Sequence, residues 1–211
     1  RELSAQNGIV LIFDEMKTGF RLSMGGAQEY FGVMPDLAVF GKAVANGFPL
    51  SFIAGRRELM KQLEDEACFF TGSYGTERAS LTAALATTEI LQRDGVIAHV
   101  WETGALLKER TRQLICRHRL DGVLAIVGYA PMTHMLMTTS GTITPLEIKS
   151  FLQQECARRG VLFVGYHHTS LAHTSADIER TIAVYDDVFA LLAKAIEAGD
   201  VRRSEEHTSE L

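Results

Sequence analysis

An acid and a lysine, Asp14 and Lys42, each follow a short apolar segment near the start of this 211-residue sequence. Asp14 comes directly after the β-branched run 9–13, which is typical of a strand that is buried on both faces. Lys42 stands two residues after Leu37–Phe40, a second predicted strand. If these strands are neighbours in one parallel sheet, the carboxylate and the amine lie at its carboxyl edge, where ligands bind in open α/β sheets.

This pair of side chains suits the chemistry of pyridoxal 5'-phosphate. The cofactor needs a lysine amine for its Schiff base and a carboxylate that keeps its ring nitrogen protonated. The lysine must lose its proton before it reacts, and burial beside a cofactor favours the neutral amine. Residues 14 and 42 therefore fit the chemistry of a pyridoxal-phosphate site.

A series of short segments surrounds these two residues in a fixed order. The segments are Leu11–Glu15, Thr18–Arg21, Gly25–Gln28, Phe31–Gly32, Pro35–Leu37, Gly41–Lys42, Gly47, Pro49–Leu50 and Gly55–Arg56. Together they resemble the class III pyridoxal-phosphate aminotransferases, and most closely the branch that contains glutamate-1-semialdehyde aminomutase. The resemblance is strong from Ile9 to about Leu91 and extends more loosely to about Ile196.

The resemblance implies an α/β fold, with part of the large domain of the fold-type I pyridoxal-phosphate transferases and a small C-terminal α/β domain. We expect the large-domain part at residues 1–93, and the connecting helix and small domain at 94–202. Residues 203–211 have no apolar periodicity and are predicted to be a non-native tail. We also expect an N-terminal part of the large domain to be missing. A truncated sheet exposes an unpaired edge, so the chain alone should be inactive and poorly soluble.

The resemblance assigns roles to three residues of the first predicted site. It implies that Asp14 pairs with the pyridine nitrogen and that Lys42 is the Schiff-base lysine. Met16 stands where the family usually has a valine that packs on the ring face, and a soft apolar thioether can also pack there.

A second predicted site is the loop Thr71–Gly75, which precedes an alanine-rich helix. The resemblance implies that Ser73 takes the place of a threonine whose hydroxyl binds the cofactor phosphate of the neighbouring subunit, and hence that the parent is a homodimer. The family usually continues with Gly-Asn-Pro, whereas this sequence has Thr-Glu-Arg at 76–78. The alternative is an ordinary helix N-cap, a position where serine and threonine are favoured anyway.

The implied activity is transfer of an amino group between an amine or amino acid and an oxo acid or aldehyde. One alternative is an aminomutase, which moves the amine within one molecule. The aminomutases carry a glutamate where this sequence has Gly165, which favours the transaminase. A more distant alternative is a nucleotide hydrolase, because segment 9–15 alone also resembles a Walker B strand. No G-x-x-x-x-G-K-[ST] loop accompanies it, since Ala43 follows Lys42.

The composition of the chain argues against several classes of binding partner. The net charge of −5 and the absence of a basic cluster argue against nucleic acid and anionic membranes. No apolar run is typical of a membrane helix. The three cysteines are widely spaced, which predicts free thiols in a cytoplasmic protein. Histidines 167, 168 and 173 lie close together with no acid or cysteine nearby, so we predict no metal site.

Periodicity and turn residues predict the remaining elements. We expect helices at 57–63, 78–92, 96–119, 144–160 and from 174 onwards, and strands at 51–54, 123–127, 132–137 and 161–164.

Overall fold

The computed structural model describes residues 1–64, 68–69, 71–72, 74–75 and 77–201. The chain divides into two compact units, Arg1–Ala98 and His99–Leu211.

The first unit contains a three-stranded sheet with helices around it. In chain order its elements are α1 (Glu2–Gln6), β1 (Ile12–Asp14), α2 (Ala27–Phe31), β2 (Leu37–Phe40), a 3₁₀ helix (Lys42–Val44), β3 (Phe52–Gly55), α3 (Arg57–Glu64) and α4 (Arg78–Arg93). The strand order is β1-β2-β3, in which β1 and β2 are parallel and β3 runs antiparallel to β2. The predicted parallel pairing of the first two strands is therefore confirmed.

The prediction that the first strand is buried on both faces is wrong for this chain. The strand begins at Ile12 rather than Ile9, and these two side chains are 55% and 61% exposed. In the described part of the sheet, β1 is an edge strand with β2 as its neighbour. The Ile9 N–H donates to the Ser4 carbonyl at 2.8 Å instead of joining the strand ladder. The apolar run thus predicts more burial than the described elements around β1 provide.

Asp36 lies directly before β2 and connects the three strands at that end of the sheet. Its buried carboxylate accepts hydrogen bonds from Arg1 Nη1 at 2.7 Å, from the Leu11 N–H at 2.9 Å and from Arg56 Nη1 at 3.3 Å. The Arg1 and Leu11 hydrogen bonds hold the pKa of this carboxyl well below its usual range. Because Leu11 precedes β1 and Arg56 follows β3, Asp36 fixes both strands to the start of β2.

The second unit is a three-stranded antiparallel sheet packed against helices. It contains most of α5 (Val96–Arg117), followed by β4 (Leu124–Tyr129), β5 (Met132–Met137), α6 (Pro145–Arg158), β6 (Tyr166–His168) and α7 (Ser175–Glu197). The strand order is β4-β5-β6. One face of the sheet and the apolar faces of the helices form a buried core whose members include Leu107, Leu114, Leu124, Met135, Ile148, Phe151, Leu152, Tyr185, Phe189 and Leu192.

Two capping boxes start the last two helices, as the sequence predicts. The Thr144 hydroxyl accepts the Glu147 N–H at 3.3 Å, and the Glu147 carboxylate accepts the Thr144 N–H at 2.9 Å. Thr174 and Asp177 repeat the arrangement at α7. Each box satisfies N–H groups that would otherwise lack partners in the first turn of the helix.

The predicted strand at 161–164 is wrong. These residues lie outside any strand, and the third strand of the sheet is β6, a few residues later. Phe163 is 3% exposed and Leu162 is 88% exposed, so the run has the burial alternation of a strand without its ladder. The Met135 N–H bonds the Gly165 carbonyl at 3.0 Å, and regular pairing begins only after that glycine, whose φ is +99°.

His167 links the sheet of the second unit to α7. Its Nδ1 is hydrogen-bonded to Thr133 Oγ1 at 2.9 Å and its Nε2 to the Tyr185 hydroxyl at 2.7 Å. Burial, together with the neighbouring His168 and His134, lowers the pKa of His167 from 6.5 to about 4. The ring is therefore neutral at pH 7.

We expect this histidine to make the second unit sensitive to acid. Between pH 6.5 and pH 4 the unfolded chain takes up a proton at His167 that the folded chain does not. The stability present above pH 6.5 should therefore fall by roughly 3 kcal/mol as the pH drops to 4. Urea unfolding followed by the fluorescence of Trp101, the chain's one tryptophan, measures this change.

The matched variants are His167→Gln and His134→Gln, the second at an exposed residue of β5. We expect the first to remove most of the pH dependence and the second to leave most of it in place, because burial is the main cause of the low pKa of His167. Equal pH dependence in the wild-type chain and the His167→Gln variant would contradict the assignment.

Candidate active site

The structure brings Asp14 and Lys42 to the same edge of the first sheet. Asp14 is the last residue of β1 and is in register with Val39 of β2. Because the two strands are parallel, both end on the same side of the sheet, and Lys42 follows two residues after the end of β2. Both side chains are exposed at this edge.

The carboxylate of Asp14 is oriented by its own chain. Its Oδ1 accepts the N–H of Met16 at 3.0 Å, a local bond that is typical of aspartate at the start of a turn. Its Oδ2 has no hydrogen-bond partner among the described residues, and no ion pair with Lys42 is found there. One oxygen is therefore held while the other is available to a ligand.

Lys42 occupies a strained backbone position. Its φ is +47°, in the left-handed region that residues other than glycine rarely adopt. Such a backbone conformation costs on the order of 1–3 kcal/mol of free energy. It persists only where the surrounding structure fixes it, often at functional sites. The buried Gly41 is the N-cap of the 3₁₀ helix, which begins at Lys42.

Met16 packs directly against the backbone at Gly41. A Cβ added to Gly41 would lie 2.6 Å from Met16 Cε and 2.7 Å from Met16 Sδ. The absence of a side chain at position 41 therefore lets the thioether lie next to the residue that precedes Lys42. The structure thus brings the three predicted residues Asp14, Met16 and Lys42 to one place.

Sequence reasoning missed Glu15, which organises the turn beside Asp14. Its carboxylate is 1% exposed and accepts the N–H groups of Ala27 and Gln28, each at 2.8 Å. Its partners lie 12 and 13 residues away, so no local pattern predicts them. The neighbouring Gly26 is the signal in the sequence that points to a close backbone approach of this kind.

Ser73, the predicted phosphate ligand, lies outside the described residues, and its role stays a prediction. The start of the following helix is described. Its N-cap is Glu77, whose carboxylate accepts the N–H groups of Ala79 at 2.9 Å and Ser80 at 2.5 Å. The alternative that a serine or threonine of the preceding loop caps α4 is therefore wrong.

The site is an open edge rather than an enclosed pocket. A cavity of about 570 Å³ in the same unit is lined by residues of α2, β2 and β3, including Gln28, Ala38, Phe40 and Ala54. Neither Asp14 nor Lys42 lines it. The two predicted site residues therefore lie outside this cavity.

The histidines of the second unit make local contacts. His173 Nδ1 accepts the Ser170 N–H at 3.1 Å, and the carbonyl of His173 lies 3.1 Å from Nε2 of His99. Across the described ranges, no cluster of three histidine, cysteine or acidic residues could hold a metal ion. In those same ranges, no helix is both long and apolar enough to cross a membrane.

The family model for class III aminotransferases matches residues 1–177. The chain therefore belongs to the class III aminotransferase family, as the ordered segments of its first half predict.

Two curated relatives and one solved structure illustrate this membership. Glutamate-1-semialdehyde 2,1-aminomutase of Methanococcoides burtonii is 32% identical over 202 residues, which cover 88% of this chain and 46% of the relative. The 3-aminobutyryl-CoA aminotransferase of Cloacimonas acidaminovorans is 31% identical, over 93% of this chain and 47% of that protein. The FumI protein of a Sphingopyxis species, solved in its PLP internal aldimine form, superposes with a TM-score of 0.83 at 26% identity, over 94% of this chain and 47% of its own.

The comparison confirms the predicted fold class. The similar solved structures are pyridoxal-phosphate transaminases of fold type I, and the chain shares their α/β architecture. The chain spans about half the length of the curated relatives it matches.

Proposed function

We propose that the protein to which this chain belongs is a pyridoxal-phosphate-dependent aminotransferase that uses Lys42 and Asp14. The observation that carries the proposal is the position of these two residues at one edge of a parallel strand pair, in a chain of the class III family. The substrates are an amine or amino acid as donor and an oxo acid or aldehyde as acceptor.

The residues at the edge fit the cofactor chemically. When bound, pyridoxal phosphate supplies a protonated ring that stabilises a carbanion at the substrate carbon. The Oδ2 atom of Asp14 is available to hold the ring nitrogen, while Met16 fixes Oδ1. Lys42 is exposed just beyond the end of the neighbouring strand, where its amine could bind the cofactor covalently.

Each side chain then has a distinct task. Lys42 would hold the cofactor through Nζ and, when this amine is free, would take a proton from the substrate carbon as a general base. Asp14 would hold the ring nitrogen of the cofactor at its Oδ2 atom. Met16, fixed against Gly41, supplies an apolar surface beside the two polar groups.

The proposal also includes the oligomeric state and the location of the whole protein. We place Ser73 at the cofactor phosphate of a neighbouring subunit, which makes the protein a homodimer. A cytoplasmic location is supported by the three cysteines, which are all free of disulfides.

The second candidate is an aminomutase, and it is favoured by the name of the Methanococcoides burtonii relative. The resemblance places Gly165 where the aminomutases carry a glutamate, and for this reason we favour the transaminase. The match over residues 1–177 includes segment 9–15, so it gives the nucleotide-hydrolase alternative no support.

Product analysis of the full-length parent, loaded with pyridoxal phosphate, tests the proposal. We expect aminated product only when an oxo acid or aldehyde is added as acceptor. Formation of an isomerised product without any acceptor would favour the aminomutase. No visible absorbance with pyridoxal phosphate and no turnover would overturn both candidates.

A further inference from the structure

We infer that Glu15 is a positioning residue, which holds the Asp14 carboxylate in place for the cofactor. This inference rests on the proposed function, because Asp14 is the group that would touch the ring nitrogen. Glu15 itself is buried and faces away from the open edge, towards the start of α2.

The Glu15 side chain is held by main-chain donors. Oε2 accepts the Ala27 N–H and Oε1 accepts the Gln28 N–H, each at 2.8 Å, and the Thr18 hydroxyl also donates to Oε2. A Cβ at Gly26 would lie 2.5 Å from Oε2, so only glycine allows this approach. The φ of Gly26 is +80°, which also favours glycine.

The main chain of Glu15 is fixed as well. Its N–H donates to the Val39 carbonyl at 2.9 Å, and its own carbonyl accepts the Gly19 N–H at 2.9 Å. Residue 15 is thus tied to β2, to the following turn and to α2. Asp14 and Met16 are its direct neighbours in the chain, so the position of both depends on these bonds.

Apolar packing does not explain how the end of β1 is held to α2. None of the five residues of α2 is buried, so the helix is not held to β1 by an apolar core. A buried carboxylate costs free energy to desolvate, and it is retained only where several donors compensate it. The hydrogen bonds of the Glu15 side chain therefore serve to fix the end of β1, where Asp14 stands.

A double-mutant cycle in the full-length parent tests the inference. The variants are Glu15→Gln, Asp14→Asn and the two combined. The measurement is the dissociation constant of pyridoxal phosphate, obtained by titrating the apoenzyme and following the visible absorbance band. Glutamine keeps the shape of Glu15 but turns one acceptor into a donor that faces a main-chain N–H. The matched control is Glu29→Gln in α2, because exposed Glu29 also accepts a main-chain N–H, that of Gly25 at 2.6 Å.

We expect Glu15→Gln to weaken cofactor binding roughly tenfold and Glu29→Gln to change it by less than about twofold. In the Asp14→Asn background, Glu15→Gln should add less than about twofold, because a residue that acts through Asp14 has nothing left to position. Should Glu15→Gln not yield folded protein, Thr18→Val removes one donor only and should show a smaller weakening with the same lack of additivity.

Three outcomes would overturn the inference, and they separate it from the proposed function. Full additivity of Glu15→Gln and Asp14→Asn would show that Glu15 acts independently of Asp14. An effect of Asp14→Asn with none from Glu15→Gln would reject Glu15 and leave the proposed function standing. Unchanged binding in Asp14→Asn would reject the cofactor role of Asp14 and this inference with it.

Discussion

Replacement of Lys42 by alanine in the full-length parent is expected to reduce turnover by about 10³-fold or more, and to remove the visible absorbance of the lysine-bound cofactor. Among the described residues, Lys42 is the lysine that follows the carboxyl end of β2, where Met16 packs against Gly41. Folding should be unaffected, because the Lys42 side chain is exposed and contributes to no buried core.

The matched control is Lys61→Ala, the same change at an exposed residue of α3 in the same unit. This variant should keep both turnover and absorbance. If Lys42→Ala retained the absorbance band at wild-type intensity, the cofactor would be bound by a different lysine.

Replacement of Asp14 by asparagine is expected to slow turnover by roughly 10²–10³-fold while leaving a cofactor covalently bound. An adjacent opposite charge shifts a pKa by about 1–3 units, so loss of the carboxylate should lower the protonated fraction of the ring nitrogen by a comparable factor. Asparagine preserves the hydrogen bond that the Met16 N–H now donates to Oδ1, at 3.0 Å. The change is therefore one of charge rather than of shape.

Stopped-flow measurement of a single half-reaction, with the enzyme saturated in cofactor, isolates this effect from weaker binding. Asp187→Asn, at an exposed position on α7, is the control for a change in net charge. An Asp14→Asn enzyme with wild-type single-turnover rates would remove Asp14 from the chemistry.

The elements that local sequence specifies were predicted well. Strand β2 at Leu37–Phe40 and strand β5 at Met132–Met137 have the predicted bounds, because turn residues flank both. The capping box at Thr144 fixes the start of α6, since its bonds join residues only three apart. The placement of Asp14 and Lys42 at one sheet edge followed from a single assumption, that two short strands are parallel neighbours.

Features that depend on distant partners were not predictable in this way. The bonds of Glu15 to the start of α2 cross more than ten residues. The third strand of the second unit begins after Gly165, because the backbone at that glycine decides where the ladder starts, and the apolar run before it looks equally strand-like. The capping of α4 by Glu77 uses a residue type that is not favoured at N-caps.

We expect the cofactor to be bound through the amine of Lys42, at the sheet edge that also carries Asp14. Borohydride reduction of the loaded full-length parent, followed by digestion and mass spectrometry, locates the attachment directly. The structure predicts a single phosphopyridoxyl group on Lys42. Its recovery on a different lysine, with Lys42 unmodified, would contradict the account.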